Sequence, residues 1–124
     1  MGRAYTGIVS DEVAPPELFS LLDDEYARLI LTKTSEQPMS AKALSEAADA
    51  SKPTIYRRLE RLQDAGLVTE RKEFREEGRH YSVYEARLEQ LSITLSDGDL
   101  EVELSITGTE DPADRFTRMW EGVR

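Results

Sequence analysis

The hydrophobic positions in the first third of the chain recur with the spacing of a helix. Leucine, isoleucine and aromatic residues repeat every three or four positions after Pro15-Pro16, a dipeptide that can start a helix. We expect Asp23 to divide this stretch by capping a second helix. That helix should end near Lys33, because turn-forming residues and Pro38 follow. The pattern therefore predicts two consecutive helices.

A pair of short helices joined by a tight turn is predicted next. Ser40 is a favourable N-cap for the first of them, and Ser51 is one for the second. Pro53 falls in the first turn of the second helix, where its missing N–H removes no helical hydrogen bond. Gly66 stands where a left-handed residue ends a helix. The second helix should therefore span residues 51–65, and its spacing turns three residues toward the core: Ile55, Leu59 and Leu62.

The polarity then changes to the alternation that is typical of strands. "LVTERKEF" and "RHYSVYEA" flank the turn-forming "REEG" and predict a β-hairpin with a charged tip. A second hairpin is predicted in "LSITLSDGDLEVELSI", where Asp97-Gly98 favours a two-residue turn of type I′. The turn and the hydrophobic pattern require the same register, in which Ser96 faces Asp99, Leu95 faces Leu100, Ile93 faces Val102 and Leu91 faces Leu104.

The chain closes on "GTEDPADRFTRMWEGVR", which predicts an amphipathic helix capped by Asp111 and begun by Pro112. Its apolar stripe is rich in aromatic residues and Met, which are enriched in the cores of protein interfaces. Because a two-stranded hairpin is not stable alone, we expect the second hairpin to pack on the preceding helices or on a second subunit. We predict a homodimer whose interface includes the stripe of Phe116, Met119, Trp120 and Val123. The first helical stretch, with Phe19, Tyr26 and Ile30, is a second candidate surface.

Composition excludes several classes of function. The 124 residues fit one compact domain with a small core. The chain has no Cys, hence no disulfide, thiolate metal site or Cys nucleophile, and the lone His80 is more typical of a strand residue or phosphate donor than of a metal ligand. No catalytic or cofactor-binding motif is present, and no apolar run is long enough to span a membrane. We expect a cytoplasmic protein that is not an enzyme and uses no metal or cofactor.

Charge is divided unevenly along the chain. The formal net charge is −9, yet residues 52–79 contain eight basic and six acidic residues and so have the opposite sign. An excess of Asp and Glu with only four Lys is typical of proteins that work in concentrated salt, where repulsion between carboxylates is screened within about 3 Å at 1 M. We interpret the chain as halophilic in character; an ordinary acidic protein is the alternative.

The helix pair and the charged hairpin together predict a helix-turn-helix with a wing. In this motif the second helix enters the major groove of double-stranded DNA with its N-terminal residues toward the base edges. With its apolar positions in the core, its arginines should face out. We expect Arg57 to contact guanine, and Arg58 and Arg61 to bind phosphates. The other candidate DNA contacts are Ser51, Lys52, Thr54 and Tyr56 on the helix, and Arg75, Arg79 and His80 in the wing at 72–81.

Two alternatives compete with DNA binding. An Arg-rich helix face can be simply solvated, with Glu60 and Asp64 pairing with arginines along the helix. The same fold can also act as a protein-interaction module without direct DNA readout, with the acidic face as its working surface. The second alternative leaves the local reversal of charge unexplained.

"MSAKALSEAADASKPTIYRRLERLQDAGLVTE", from Met39 to Glu70, resembles the winged helix-turn-helix regulators of the ArsR-like and TrmB-like groups. With the acidic composition, the chain is most similar to the small regulators of halophilic archaea. The resemblance covers residues 15–85 and implies a sequence-specific transcription regulator that is usually dimeric. The chain lacks the Cys and His clusters of metal-sensing ArsR-type proteins and the sugar-binding domain of longer TrmB-like proteins, so no effector is implied.

The predicted fold class is therefore α+β, a winged helix-turn-helix with an added C-terminal β-hairpin and terminal helix. We divide the chain into an N-terminal tail (1–14), the DNA-binding domain (15–86) and an extension for packing or dimerisation (87–124). The second boundary falls where the wing ends and the second hairpin begins.

Overall fold

In the part of the chain that the structure describes, a short first strand is followed by four helices and two antiparallel hairpins, which confirms the predicted α+β winged helix-turn-helix. The computed structural model describes residues 5–6, 15–74 and 78–107, the first two by their backbone alone. The predicted terminal helix, with Phe116, Met119, Trp120 and Val123, lies outside the described residues, as does Arg75 of the wing. None of the helices described is long and apolar enough to cross a membrane. In chain order the elements are β1 (Tyr5–Thr6), α1 (Pro15–Asp23), α2 (Glu25–Glu36), α3 (Ala41–Ala48), α4 (Lys52–Asp64), β2 (Val68–Phe74), β3 (His80–Ala86), β4 (Leu88–Ser96) and β5 (Asp99–Ile106).

The N-terminal helical stretch divides into α1 and α2 at Asp24, one residue after the predicted Asp23. The Asp24 carboxylate accepts a hydrogen bond of 2.7 Å from the N–H of Ala27 and is the N-cap of α2. Leu18 and Leu21 of α1 are fully buried. The break therefore lets two short helices cover one core.

α2 ends at Glu36, three residues later than the predicted end near Lys33. The extra turn contains Thr34, which is buried but donates its hydroxyl hydrogen to a carbonyl one turn earlier at 2.6 Å. The helix still stops before Pro38, since a proline forces the preceding Gln37 into the extended conformation observed.

Serine caps begin both helices of the helix-turn-helix, as predicted. Ser40 accepts a hydrogen bond of 3.1 Å from the N–H of Ala43, and Ser51 accepts one of 3.3 Å from the N–H of Thr54. Between α3 and α4 the chain reverses at Asp49, whose φ of 52° is left-handed. An aspartate tolerates this conformation better than most side chains.

Gly66 ends α4 as predicted, with a φ of 78°. Its N–H donates to the carbonyl of Gln63, and the N–H of Leu67 donates to the carbonyl of Leu62, both at 2.9 Å. These two bonds are those of a Schellman motif, which satisfies carbonyls at the end of a helix. The motif turns the chain from α4 into β2 and places Leu67 in the core.

The wing consists of β2 and β3, which pair antiparallel from Val68–Ala86 to Phe74–His80 and confirm the first predicted hairpin. Met39, just before α3, forms an antiparallel bridge with Tyr84 through backbone hydrogen bonds of 3.0 and 2.8 Å. The base of the wing is therefore attached to the helix-turn-helix, whereas Phe74 near the tip is 73% exposed.

The second hairpin, β4 and β5, has the predicted register. Ser96 faces Asp99 across a turn in which Asp97 and Gly98 have φ values of 53° and 84°, as a type I′ turn requires. The predicted pairs of apolar residues follow along both strands. On the other edge of β5, the short β1 pairs in parallel, a strand that the polarity pattern did not predict.

The second hairpin packs on the helices at one end. Val102, Leu104 and Ile106 of β5 are buried in the same core as the leucines of α1 and α4. The hairpin was predicted to pack either on the preceding helices or on a second subunit. This end of it packs on the helices. The predicted apolar face is not covered along its whole length, however, because Ile93 is 53% exposed and Leu95 is 77% exposed.

Candidate nucleic-acid interface

α4 presents one side to the core and the other to solvent. Its outer side begins at Lys52 in the first turn and includes Arg57 and Tyr56, all of which are exposed. The first turn of the second helix is the part of a helix-turn-helix that reaches base edges in the major groove. The rotation of the helix is set by the predicted core positions, which are at most 1% exposed: Ile55, Leu59 and Leu62.

Two hydroxyl groups are ordered at the start of α4. Ser51 Oγ accepts the N–H of Thr54 and also lies 2.9 Å from Thr54 Oγ1, so the two hydroxyls are hydrogen-bonded to each other. The first N–H groups of a helix carry the positive end of its dipole, which favours an anion. The N–H groups of this turn and the ammonium group of Lys52 therefore both favour an anion at the start of α4.

Arg57 and Lys52 are the exposed cations of α4 without an ion-pair partner among the described residues. Arg57 borders a shallow surface depression, whose lining residues are Tyr56, Arg57, Leu59, Glu60 and Gln63. A guanidinium without an ion-pair partner can donate two parallel hydrogen bonds, either to two acceptor atoms on the edge of a base or to a phosphate.

Arg58 was predicted to face solvent, but its side chain is turned toward the first helices. Its Nε donates to Asp24 Oδ2 at 3.1 Å, and its guanidinium lies 5.7 Å from the centroid of the Tyr26 ring. The side chains of Arg58 and Asp24 are only 24% and 20% exposed. Although burial raises the pKa of Asp24, hydrogen bonds from Arg58 and from the N–H of Ala27 outweigh it and hold that pKa below its ordinary value. Arg58 thus fastens α4 to the start of α2.

Arg61 is likewise turned toward the first helices. Its Nε and Nη2 donate to Glu17 Oε2 at 3.3 and 3.2 Å, and Nη2 lies 3.2 Å from Ser20 Oγ. The prediction that these arginines face out is wrong for Arg58, whereas Arg61 remains 38% exposed but is paired with Glu17. Local periodicity does not show which carboxylates of a distant segment pack beside α4. Phosphate binding by these two arginines stays a prediction.

Glu70 joins the end of α4 to the wing. It accepts hydrogen bonds from Ser82 Oγ at 2.6 Å and from Gln63 Nε2 at 3.2 Å, and Lys72 Nζ lies 3.6 Å away. The bond from Ser82 is the main reason that the pKa of Glu70 lies below its ordinary value; burial opposes this effect. The sequence pattern did not identify Glu70 or Asp24, because their partners Ser82 and Arg58 become neighbours of these carboxylates only in the fold.

The wing differs between its base and its tip. At the base, Arg71 pairs with Glu85 across the two strands at 2.9 Å. Toward the tip, Arg79 and His80 are exposed, and Arg79 has no ion-pair partner in the described part of the chain. The His80 ring lies 4.5 Å from the ring of the exposed Phe74. The tip thus presents a cation and a pair of aromatic rings.

Comparison with known families supports the helix-turn-helix. A family model described as a helix-turn-helix domain matches residues 22–71, which run from the end of α1 into β2. No curated protein sequence matches the chain. Sequence similarity and fold therefore agree on a helix-turn-helix domain, and such a domain indicates a DNA-binding regulator.

Proposed function

We propose that the protein is a sequence-specific transcription regulator that binds double-stranded DNA with α4 in the major groove. The observation that carries this proposal is Arg57, an exposed cation on the outer side of α4 without an ion-pair partner among the described residues. The other two arginines of α4 pair with carboxylates of the same chain. A bidentate contact from a guanidinium to guanine contributes about 1–3 kcal/mol of discrimination between bases.

The residues around Arg57 make the remaining contacts of α4 with the phosphates and bases of the DNA. Lys52 binds a phosphate near the start of α4, where the helix dipole adds to its charge. Thr54 and Tyr56 reach a phosphate or a thymine methyl group. Ser51 caps the helix and directs its hydroxyl hydrogen toward the phosphate backbone of the DNA.

Arg58 and Arg61 contribute by positioning α4. Their carboxylate partners lie on or beside α1 and α2, so each pair fixes the angle at which the outer side of α4 meets DNA. Contact with phosphate by either arginine requires exchange of the carboxylate for the phosphate.

The wing supplies contacts beside the major groove. Arg79 and His80, together with Arg75, approach the DNA backbone or the adjacent minor groove, where cations are favoured by the phosphates. The base of the wing, in which Arg71 is paired with Glu85, holds these residues in place.

We further propose a homodimer in the cytoplasm of a halophile that binds a near-palindromic operator, as in the small ArsR-like and TrmB-like regulators. A twofold symmetric dimer places its two recognition helices in successive major grooves, roughly 34–36 Å apart. The stripe at Phe116, Met119, Trp120 and Val123 stays a predicted interface.

Selection of bound sites from a random DNA library at stepped KCl concentrations tests the proposal. We expect one enriched, near-palindromic sequence and retarded migration of that DNA with the protein. Arg57→Ala should relax the preference for a guanine at one position of each half-site and weaken binding at least tenfold. Lys33→Ala is the matched control, since it removes one exposed positive charge from α2.

The same variants separate DNA binding from the alternative, a protein-interaction module. If the protein is an interaction module, no DNA sequence is enriched at any salt concentration, and Arg57→Ala leaves binding of the protein partner unchanged. Either result contradicts the proposed function.

A further inference from the structure

The outer edge of β4 lies open in the described structure. The sheet has the order β1–β5–β4, and among the described residues no strand pairs with the second edge of β4. An open edge presents a row of backbone N–H and C=O groups that can pair with another strand.

The register shows which residues supply these groups. Ser96 and Asp99 flank a two-residue turn and form the first hydrogen-bonded pair, and such pairs alternate with pairs that exchange no hydrogen bond. The backbone groups of Leu95, Ile93 and Leu91 therefore point away from β5, toward the open edge.

This edge lacks the features that normally prevent pairing. Soluble proteins protect edge strands with charged side chains, Pro or a bulge. Residues 90–96, "QLSITLS", contain no charge and no Pro, although a third of the whole chain is charged. The one irregularity in the β4–β5 ladder falls earlier, between Leu88 and Gln90.

The same residues expose an apolar face. Ile93 and Leu95 are more than half exposed, whereas their neighbour Leu91 packs against the core. The apolar surface thus continues outward from the core along β4. An uncharged edge and exposed apolar side chains coincide on one strand.

We propose that β4 pairs antiparallel with β4 of a second copy of this chain, about a twofold axis at Ile93. Two chains of net charge −9 repel each other, so a contact between copies costs least where both surfaces are uncharged, as residues 90–96 are. A twofold contact uses the same patch on both subunits, so the neutral strand meets itself.

This register joins two three-stranded sheets into one of six strands. Ile93 faces the partner's Ile93, and Leu91 faces the partner's Leu95, with side chains about 4.5–5.5 Å apart. The proposal rests on the dimer of the proposed function and assigns its interface to β4 instead of the predicted C-terminal stripe. It is tested without DNA, so the failure of either proposal is distinguishable from the failure of the other.

Mass in solution is the first test, on the full chain in molar KCl. We expect twice 14.1 kDa for the unmodified protein and for Ser35→Lys, which adds the same charge at an exposed position of α2 and leaves β4 uncharged. Ile93→Lys places two like charges opposite each other and should raise the dissociation constant of the dimer at least tenfold.

A crosslink provides a second test that does not depend on destabilising the fold. The chain has no Cys, so Ile93→Cys introduces the only thiol. Mild oxidation should give a disulfide-linked dimer, because directly opposed residues lie within the Cα separation that a disulfide spans. Thr94→Cys, which faces the partner's Ser92, should crosslink at least tenfold more slowly.

Three results overturn the proposal. The first is a monomer at micromolar concentration of the unmodified protein, and the second is equal crosslinking at both positions. The third is a dimer that persists in Ile93→Lys but is lost in Trp120→Ala, which assigns the interface to the C-terminal stripe.

Discussion

Arg57 and Arg58 are adjacent in sequence, yet they have different surroundings. Successive residues are rotated by about 100° around a helix, so Arg57 projects into solvent while Arg58 meets Asp24 and Tyr26. The same side chain therefore serves two purposes on one helix. An exposed guanidinium can bind a ligand, and a half-buried one positions the helix.

This difference predicts that two alanine substitutions change stability by different amounts. Arg58→Ala leaves the shielded carboxylate of Asp24 without its charged donor, and we expect the free energy of unfolding to fall by about 1–3 kcal/mol. Arg57→Ala removes no ion pair or side-chain hydrogen bond among the described residues and should change this free energy by less than about 0.5 kcal/mol. Urea unfolding at one KCl concentration measures both, and equal losses would contradict the assignment.

The lowered pKa of Asp24 predicts how its contribution varies with pH. A carboxylate whose pKa is lower in the folded state contributes stability above its unfolded value of about 3.9, and this contribution is lost as the pH falls through the folded pKa. Asp24→Asn is the matched variant, because asparagine still caps α2. The protein should exceed this variant in unfolding free energy near pH 6, and the difference should shrink toward pH 2. A difference that grows on acidification would contradict the prediction.

At the scale of elements, local signals were sufficient for the serine caps, the Gly66 stop and the turn of the second hairpin, whereas the cap of α2 lies one residue after the predicted Asp23. The register of β4 and β5 is predictable because Asp97-Gly98 and the alternation of apolar residues demand the same pairing. By contrast, the surroundings of Arg58 and Arg61 depend on partners 34 and 44 positions away in the sequence. Periodicity assigns a residue to one side of a helix, but it does not show what packs there.

The turn of the second hairpin gives a test at this scale. Gly98 has a φ of 84°, and a Cβ atom placed there would meet no atom within 4 Å, so Gly98→Ala adds backbone strain without a steric clash. We expect the free energy of unfolding to fall by about 1–2 kcal/mol, since β5 is part of the common core. Asp97→Asn is the control and should be nearly neutral, because asparagine suits this turn. Thermal unfolding at a fixed protein concentration compares the two, and an unchanged midpoint for Gly98→Ala would exclude the proposed strain.

At the scale of the whole molecule, a protein of negative net charge has to approach DNA, which is also negatively charged. The segment from 52 to 79 is positive, but the chain as a whole has a net charge of −9. Several of the cations in that segment are neutralised by carboxylates of the same chain, as in the pairs of Arg58, Arg61 and Arg71. Few positive charges are therefore left for phosphates, and the remaining carboxylates oppose the approach of DNA unless salt screens them.

The balance of these charges predicts an unusual dependence of DNA affinity on salt. An ordinary basic domain loses affinity with a slope of about −0.9 in log K against log salt for each phosphate that it neutralises. Here we expect a shallow or even positive slope between roughly 0.2 and 2 M KCl, because screening of carboxylate–phosphate repulsion offsets the release of counterions. Fluorescence anisotropy with the selected operator measures it. Glu60→Gln combined with Asp64→Asn removes two exposed carboxylates from α4 and should make the slope more negative while strengthening binding at low salt. A steep loss of affinity toward molar KCl in the unmodified protein would contradict the prediction, since it requires many phosphate contacts and little repulsion.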